Sequence, residues 1–559
     1  MAYDVLIKNG TIVDGTGAPR YRADVAVASG KIAAIGKITD GAKKVIDASD
    51  LVVTPGFFDP HTHYDAQICW DPVITCSSWH GVTSVIMGNC GVGLAPCKPD
   101  VREIAAWDLV NVEAIPFEVL AKGVTWDWET FPEYMDAAAK RGSGINLGFM
   151  APLTPFRHYV MGEESMDRAA TPEETTQIAA LLRGAMEAGA FGFSTTNGPQ
   201  HIGYQGRPLA CRLASRDELA AYGGVLRDLG RGTIELALND NPGVVSESDY
   251  ALLDHLATSS QRPVTWLALL SRDDKPDVCM DTLERTLPLI KRGVVPQVSP
   301  RPLSVQINLR NPFIFANLPS WNPAFNRTAE EQIALYREPA FRQAFRKTMD
   351  EPRVFAGQWD RVIVHEASAP ELKQHEGKTV ADVARERGAD GLDTFLDLAI
   401  EDGLAMQYVM YLFNASEERV AELINHPNTL IGLSDGGAHV DMLCDAGYCT
   451  YLLGHWVREK QAITLEHAVR RLTSEPAGFF GVHDRGSLEQ GKAADIAIFD
   501  PETIGSPKRP EMRHDLPGGG RRLVMPAHGV LHTIVNGQVL YQDAQHTGAM
   551  PGQVLRSHA

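Results

Sequence analysis

The chain has 559 residues, 44% of them hydrophobic and 22% charged, with a net charge of −18 at pH 7. That balance supplies ample material for a large core and excludes a disordered polypeptide. The acidic surplus, with no cluster of Lys and Arg interleaved with aromatics, gives no electrostatic footprint for nucleic acid or an anionic membrane, so a small-molecule partner is expected.

No apolar run reaches the roughly 18 residues of a membrane-spanning helix, and Met1-Ala2-Tyr3-Asp4 does not open a signal peptide, so a cytoplasmic protein is expected. The eight cysteines are too sparse for a disulfide framework and are read as thiols.

Along the chain, residues 1–55 read as short strands with turn signals: Val5 to Gly15, Asp24 to Val27, and Lys31 to Gly36. The far end, 481–559, carries matching runs at Asp495 to Pro501 and Thr533 to Leu540. Neither set makes a core alone, so the two termini are expected to pair into one small sheet domain. Between them, over 56–480, buried strand-like runs alternate with helical patterns. They begin at the His61 segment and continue at Ser84–Gly88, Ile145–Phe149, Phe191–Ser194, Thr233–Leu236, Val264–Leu267, Val294–Val298 and Leu430–Ser434. Eight such runs are the count of a (β/α)8 barrel. The stretch from about 304 to 400 exceeds one crossover and reads as an insertion or lid, with a helical segment from Glu330 to Asp350.

The strongest chemical signal is Gly56-Phe57-Phe58-Asp59-Pro60-His61-Thr62-His63. Residues i and i+2 of a strand point to one face, so both imidazoles reach one ion at the C-terminal mouth of a barrel. Asp435, in Gly432-Leu433-Ser434-Asp435-Gly436-Gly437, ends the last apolar run, where a carboxylate can both touch a metal and act as general base. A turn aspartate before Gly-Gly is the plain alternative. Cys90, between Asn89 and a glycine-rich turn, is a soft candidate ligand that favours zinc; a buried inert thiol is its alternative. His201 follows the fourth run and is a candidate donor to a substrate carbonyl. Ser299 and Arg301 follow the seventh, where arginine can fork onto a carboxylate, or simply pair at the surface.

These motifs resemble the amidohydrolase superfamily, and within it the D-aminoacylase (N-acyl-D-amino-acid deacylase) branch. The resemblance runs through Asn9–Gly15, Pro55–Asp65, Gly88–Gly91, Tyr159–Gly162, Ser434–Gly436, Asp484–Gly486 and Gly491–Asp495. It implies an α/β fold, a distorted (β/α)8 TIM barrel with a small β-sandwich built from both termini, and metal ligands at His61, His63, Cys90 and Asp435. The branch also uses histidines on the fifth and sixth strands, where this chain has Thr233-Ile234-Glu235-Leu236 and Val264-Thr265-Trp266-Leu267. Glu235 or His201 is the candidate replacement. The bridging lysine of other superfamily members is ruled out, because no lysine lies between Lys140 and Lys275. The branch's arginine shortly after the eighth-strand aspartate is missing too, leaving His439 as the nearest substrate-binding candidate.

The expected function is therefore hydrolysis of a C–N amide bond, most simply of an N-acyl-(D-)amino acid, by water activated on one zinc ion with Asp435 as base. A cyclic or xenobiotic amide without a carboxylate is the alternative substrate, and a non-catalytic scaffold the alternative of another class. Superfamily members often assemble, so a homo-oligomer is compatible with the resemblance.

Overall fold

The structure, a computed structural model, describes residues 2–238, 241–315, 318–325, 327–351, 355–507 and 510–557. It divides into two units, one of residues 1–269, 280–301 and 421–559, the other of 270–279 and 302–420.

In the larger unit the eight apolar runs are parallel strands: β1 (Phe57–Asp59), β2 (Val82–Met87), β3 (Asn146–Phe149), β4 (Gly192–Thr196), β5 (Thr233–Ala237), β6 (Val264–Leu267), β7 (Val294–Val298) and β8 (Leu430–Ile431). Each pairs with the next, β3 reaching β4 through Ala151–Pro152. The circle closes where Thr62 bridges Gly436 in parallel and the His63 amide donates to the Gly436 carbonyl at 2.7 Å. This is the expected barrel, distorted because the ladder is continuous only as separate groups of three and six strands. Every residue of β2, β4 and β5 is buried, as strands covered on both faces require. Gly192, at φ +136°, lets β4 approach β5: a Cβ there would lie 1.7 Å from the Thr233 carbonyl oxygen.

The last strand is shorter than the apolar run Leu430–Ser434. Leu433 adopts φ 60° and Asp435 φ 45°, left-handed conformations that end a strand and that L-residues hold only when the surroundings enforce them.

The termini meet as expected. Val52–Pro55 lies antiparallel to Ile496–Phe499, joining five N-terminal and four C-terminal strands in a nine-stranded sheet. Its core includes Ile7, Ile12, Val25, Val53, Ile496 and Ile534, all fully buried. The run Thr533–Leu540 is a hairpin: Val530–Val535 and Gln538–Gln542 are joined by Asn536-Gly537, both at positive φ, the geometry that an Asn-Gly turn supplies.

The smaller unit contains an antiparallel sheet of Leu303–Ile307, Gln407–Phe413 and Val362–Glu366. Its helical stretch is two helices, Ala329–Arg337 and Pro339–Met349, because Pro339 forces Glu338 into an extended conformation. Trp321, Phe345, Phe395 and Tyr408 are fully buried in this unit. No helix among the described residues is long and apolar enough to cross a membrane.

Candidate metal centre

The barrel brings the sequence-distant candidates to one place. β1 ends at Asp59, Pro60 turns the chain, and His61 and His63 follow, 0% and 2% exposed. Cys90, at φ 55°, lies just beyond β2. A candidate ligand atom from each of His61, His63 and Cys90 lies within 4.8 Å of the other two. The Cys90 sulfur is 3.6 Å from His61 Nε2. Asp435 arrives from beyond β8, its Oδ1 3.2 Å from His61 Nε2 and 3.8 Å from His63 Nε2. Donors about 2.0–2.3 Å from one tetrahedral ion stand roughly 3.3–3.8 Å apart, so these separations fit a shared ion.

Two further carboxylates surround the cluster. Glu235, on β5 and fully buried, accepts the Cys90 amide at 2.7 Å through Oε2, while Oε1 has no hydrogen-bond partner. It thus occupies the strand position from which relatives in the branch were expected to supply a histidine. Glu113 was not expected from the sequence. It ends the helix Arg102–Glu113, and its Oε1 lies 3.1 Å from His63 Nδ1. A carboxylate at a helix C-terminus opposes the helix dipole, and a buried one there is the local signal that singles it out. The contact falls short of hydrogen-bonding geometry, since His63 Nδ1 is buried without a partner, but it sets a carboxylate beside the ring, where histidine ligands commonly find support.

The electrostatics call for positive charge. Burial, reinforced by Asp435, Asp65 and Glu235, pushes the Glu113 carboxyl well above its ordinary range. Burial likewise pushes Glu235 up to about 7, against the opposing influence of His61 and the Cys90 amide. Burial would also raise Asp435, but its hydrogen bond with His61 and the charges of His61, His63 and His439 carry it well below the usual carboxylate range. Three carboxylates in low dielectric, faced by histidines as their ionic partners, are costly without a compensating cation. The unpartnered Glu235 Oε1 is a further donor of the right kind. His61, His63, Cys90 and Asp435, with Glu235 beside them, therefore suit a divalent metal.

The remaining candidates are placed as follows. His201 lies close enough to His61, His439 and Asp435 to feel their charges. Burial first, then His439 and Arg212, lowers it to about 4, so it is neutral at pH 7, and its Nδ1 is buried without a partner. His439, at φ 48°, is anchored by its amide on the Glu113 carbonyl at 2.5 Å. Ser299 follows β7, and its Oγ accepts the Arg301 amide at 3.2 Å. The Arg301 guanidinium is engaged: Nε donates to Asp445 Oδ1 at 3.1 Å and Nη1 to Ser506 Oγ at 3.1 Å, and the group lies over the Tyr451 ring. A ligand carboxylate would have to compete with Asp445 for it.

An uncharacterized protein of Mycobacterium tuberculosis is 29% identical over 579 residues, covering 98% of this chain and 93% of the relative. The D-aminoacylase of Alcaligenes xylosoxydans xylosoxydans is 28% identical over 567 residues, covering 99% of this chain and 97% of that enzyme. Among solved structures, the N-acyl-D-glutamate deacylase of Bordetella bronchiseptica, in complex with zinc and a phosphonate inhibitor, superposes with a TM-score of 0.66 at 25% identity, covering 100% of both chains. With residues 44–294 and 322–541 matching the model described as "Amidohydrolase family", the chain belongs to the amidohydrolase family.

Proposed function

We propose that this metal-dependent amide hydrolase cleaves an N-acyl-D-amino acid, holding a single zinc ion with His61, His63, Cys90 and Asp435. The observation that carries this reading is the convergence of two imidazoles, a thiol and a carboxylate at the C-terminal mouth of the barrel, where such folds keep their catalytic groups. Sulfur and imidazole donors favour zinc among the common divalent ions. The ion would supply Lewis acidity, acidifying water and polarising the scissile carbonyl.

The protein groups supply the remainder. The Asp435 side chain is 20% exposed, the most open of the cluster, and is held ionised, so it can take a proton from attacking water and pass it to the departing nitrogen. Neutral His201 would donate to the oxygen of the tetrahedral intermediate. Glu113, beside His63 Nδ1, would help hold that ring in place. Ser299, Arg301 and His439 would line the acyl-amino acid. The cytosol is the proposed compartment, in keeping with eight cysteines that are all free thiols.

A second substrate reading rests on one contact. Because Arg301 is engaged by Asp445, a cyclic or xenobiotic amide without a carboxylate would leave that ion pair intact. The test is a panel of N-acyl-D-amino acids, their L enantiomers and cyclic amides, assayed on zinc-loaded enzyme. Selective turnover of the D compounds supports the deacylase; turnover restricted to cyclic amides overturns it in favour of the second reading.

A further inference from the structure

Cys76 and Cys444 are 368 residues apart in sequence, yet their sulfurs are 3.6 Å apart, within the hydrogen-bonding range of a thiol. Neither belongs to the metal cluster. Cys76, 5% exposed, precedes the short helical turn Ser77–His80. That turn is tied to the segment after His63 by the hydrogen bond between Tyr64 Oη and Ser77 Oγ at 2.7 Å. Cys444 is half-buried and lies in the irregular segment between Asp435 and the helix Tyr448–Tyr451. The two sulfurs therefore join the stretches that leave the barrel just after His63 and just after Asp435.

We propose that Cys76 and Cys444 form a reversible dithiol–disulfide pair that takes a small hydroperoxide as its oxidant. The surroundings divide the two roles. Arg522 stands beside Cys76, its guanidinium donating to the Thr75 carbonyl at 3.2 Å and to Thr75 Oγ1 at 3.0 Å while paired with Asp515. The Arg522 guanidinium, held against the residue that precedes Cys76, favours a thiolate there, so Cys76 is assigned as the nucleophile. Cys444, the sulfur within reach of it, is then the resolving thiol. A cavity of about 20 Å³, room for a molecule close to water in size, is bounded by Tyr64, Cys76, Asp435, Cys444 and Arg522 among others, so hydrogen peroxide is the hydroperoxide that fits beside the pair.

The oxidation needs no reactant besides the peroxide. The Cys76 thiolate attacks one peroxide oxygen, the O–O bond breaks, and an alcohol or water leaves after taking a proton from solvent. Cys76 is then a sulfenic acid. The Cys444 sulfur attacks the Cys76 sulfur, the S–S bond forms, the S–O bond breaks, and hydroxide leaves as water with the Cys444 proton. Two electrons pass from the sulfurs to the peroxide, and two equivalents of a small thiol, leaving as their own disulfide through a mixed-disulfide intermediate, return the pair to the reduced state. Closing 3.6 Å to a covalent bond of about 2.05 Å asks for side-chain rotation and a small shift of the irregular 441–447 segment. The resulting crosslink would pin the segment that carries Asp435 and His439, whatever the enzyme's substrate.

The test uses zinc-loaded protein exposed to hydrogen peroxide, then alkylated for intact-mass and peptide analysis. The expected result is a mass loss of about 2 Da before alkylation, a fall in free thiols from eight to six, and a Cys76–Cys444 crosslinked peptide, all reversed by dithiothreitol. In Cys444→Ser the crosslink is lost and Cys76 is captured by dimedone as its sulfenic acid. Thiol loss with no Cys76–Cys444 peptide in wild type, or the same mass loss in Cys444→Ser, overturns the proposal. The wild-type peptide analysis decides the matter even where the variant folds poorly.

Discussion

Glu113 offers the sharpest test of how the cluster is built, because it contacts a proposed ligand from a helix no motif identifies. Its Oε1 lies 3.1 Å from His63 Nδ1, and both side chains are at most 3% exposed. Replacing such an outer carboxylate costs about 10- to 100-fold in metal affinity, which is about 1.4–2.7 kcal/mol. Glu113→Gln keeps the side chain's volume and a polar oxygen beside the ring and loses only charge, so a loss of about 10-fold is expected; Glu113→Ala also opens a void beside His63, and about 100-fold is expected. Charge adds a second, opposite sign. Glu113 is buried near Asp435 and Glu235, so after zinc is stripped by chelation Glu113→Gln should unfold at a temperature no lower than wild type. Zinc should then raise the melting temperature of the variant less than that of wild type, since stabilisation by a ligand scales with RT ln(1 + [L]/Kd). The assay is zinc competition against a chromophoric chelator, paired with calorimetry of stripped and loaded protein. Zinc affinities of both variants within about twofold of wild type would refute the supporting role of Glu113.

Three other outcomes are expected. Asp435→Asn should lower kcat by about 10²–10⁴-fold while zinc analysis still finds metal held by His61, His63 and Cys90; an active Asp435→Asn enzyme contradicts the proposed base. Arg157 and Glu218 form a fully buried ion pair, so Arg157→Met alone should cost about 3–5 kcal/mol by denaturant unfolding; Arg157→Met/Glu218→Gln should recover most of it, and additive losses would refute the pairing. His80 is buried between Thr450 Oγ1 and the Met525 carbonyl, each at 2.8 Å, and burial lowers it to about 4. Because the unfolded chain binds its proton near pH 6.5, stability from this site is complete above that value and is lost as pH falls towards 4, on the order of 3 kcal/mol in total. Urea unfolding of His80→Gln across this window should show a correspondingly weaker acid dependence, and an unchanged pH profile would remove His80 as the cause.

What the sequence discloses and what it conceals divide along physical lines. All eight barrel strands are visible as short apolar runs because strands buried on both faces need continuous hydrophobicity. The boundary of the last is not, since Leu433 and Asp435 leave strand geometry by adopting left-handed conformations that no apolar pattern records. The Asn536-Gly537 hairpin lay in plain view as turn chemistry within the run Thr533 to Leu540. His61, His63 and Asp435 stand out because titratable residues that follow the ends of apolar runs are where the proposed metal centre would need them. Glu235 shows as a polar residue within an apolar run, but its approach to Cys90 requires the closed barrel. Glu113 and the Arg301–Asp445 pair depend on contacts between residues far apart in the chain, at a helix end and in irregular segments, where periodicity carries no information.

The most direct test of the central claim is metal content per chain by elemental analysis, on wild type and on His61→Ala/His63→Ala, with amide hydrolysis measured on the same samples. The expected result is about one zinc per wild-type chain, lost together with hydrolysis in the double variant. Undiminished metal and turnover in that variant, or a wild type that stays inactive towards every amide tested once zinc is loaded, would contradict it.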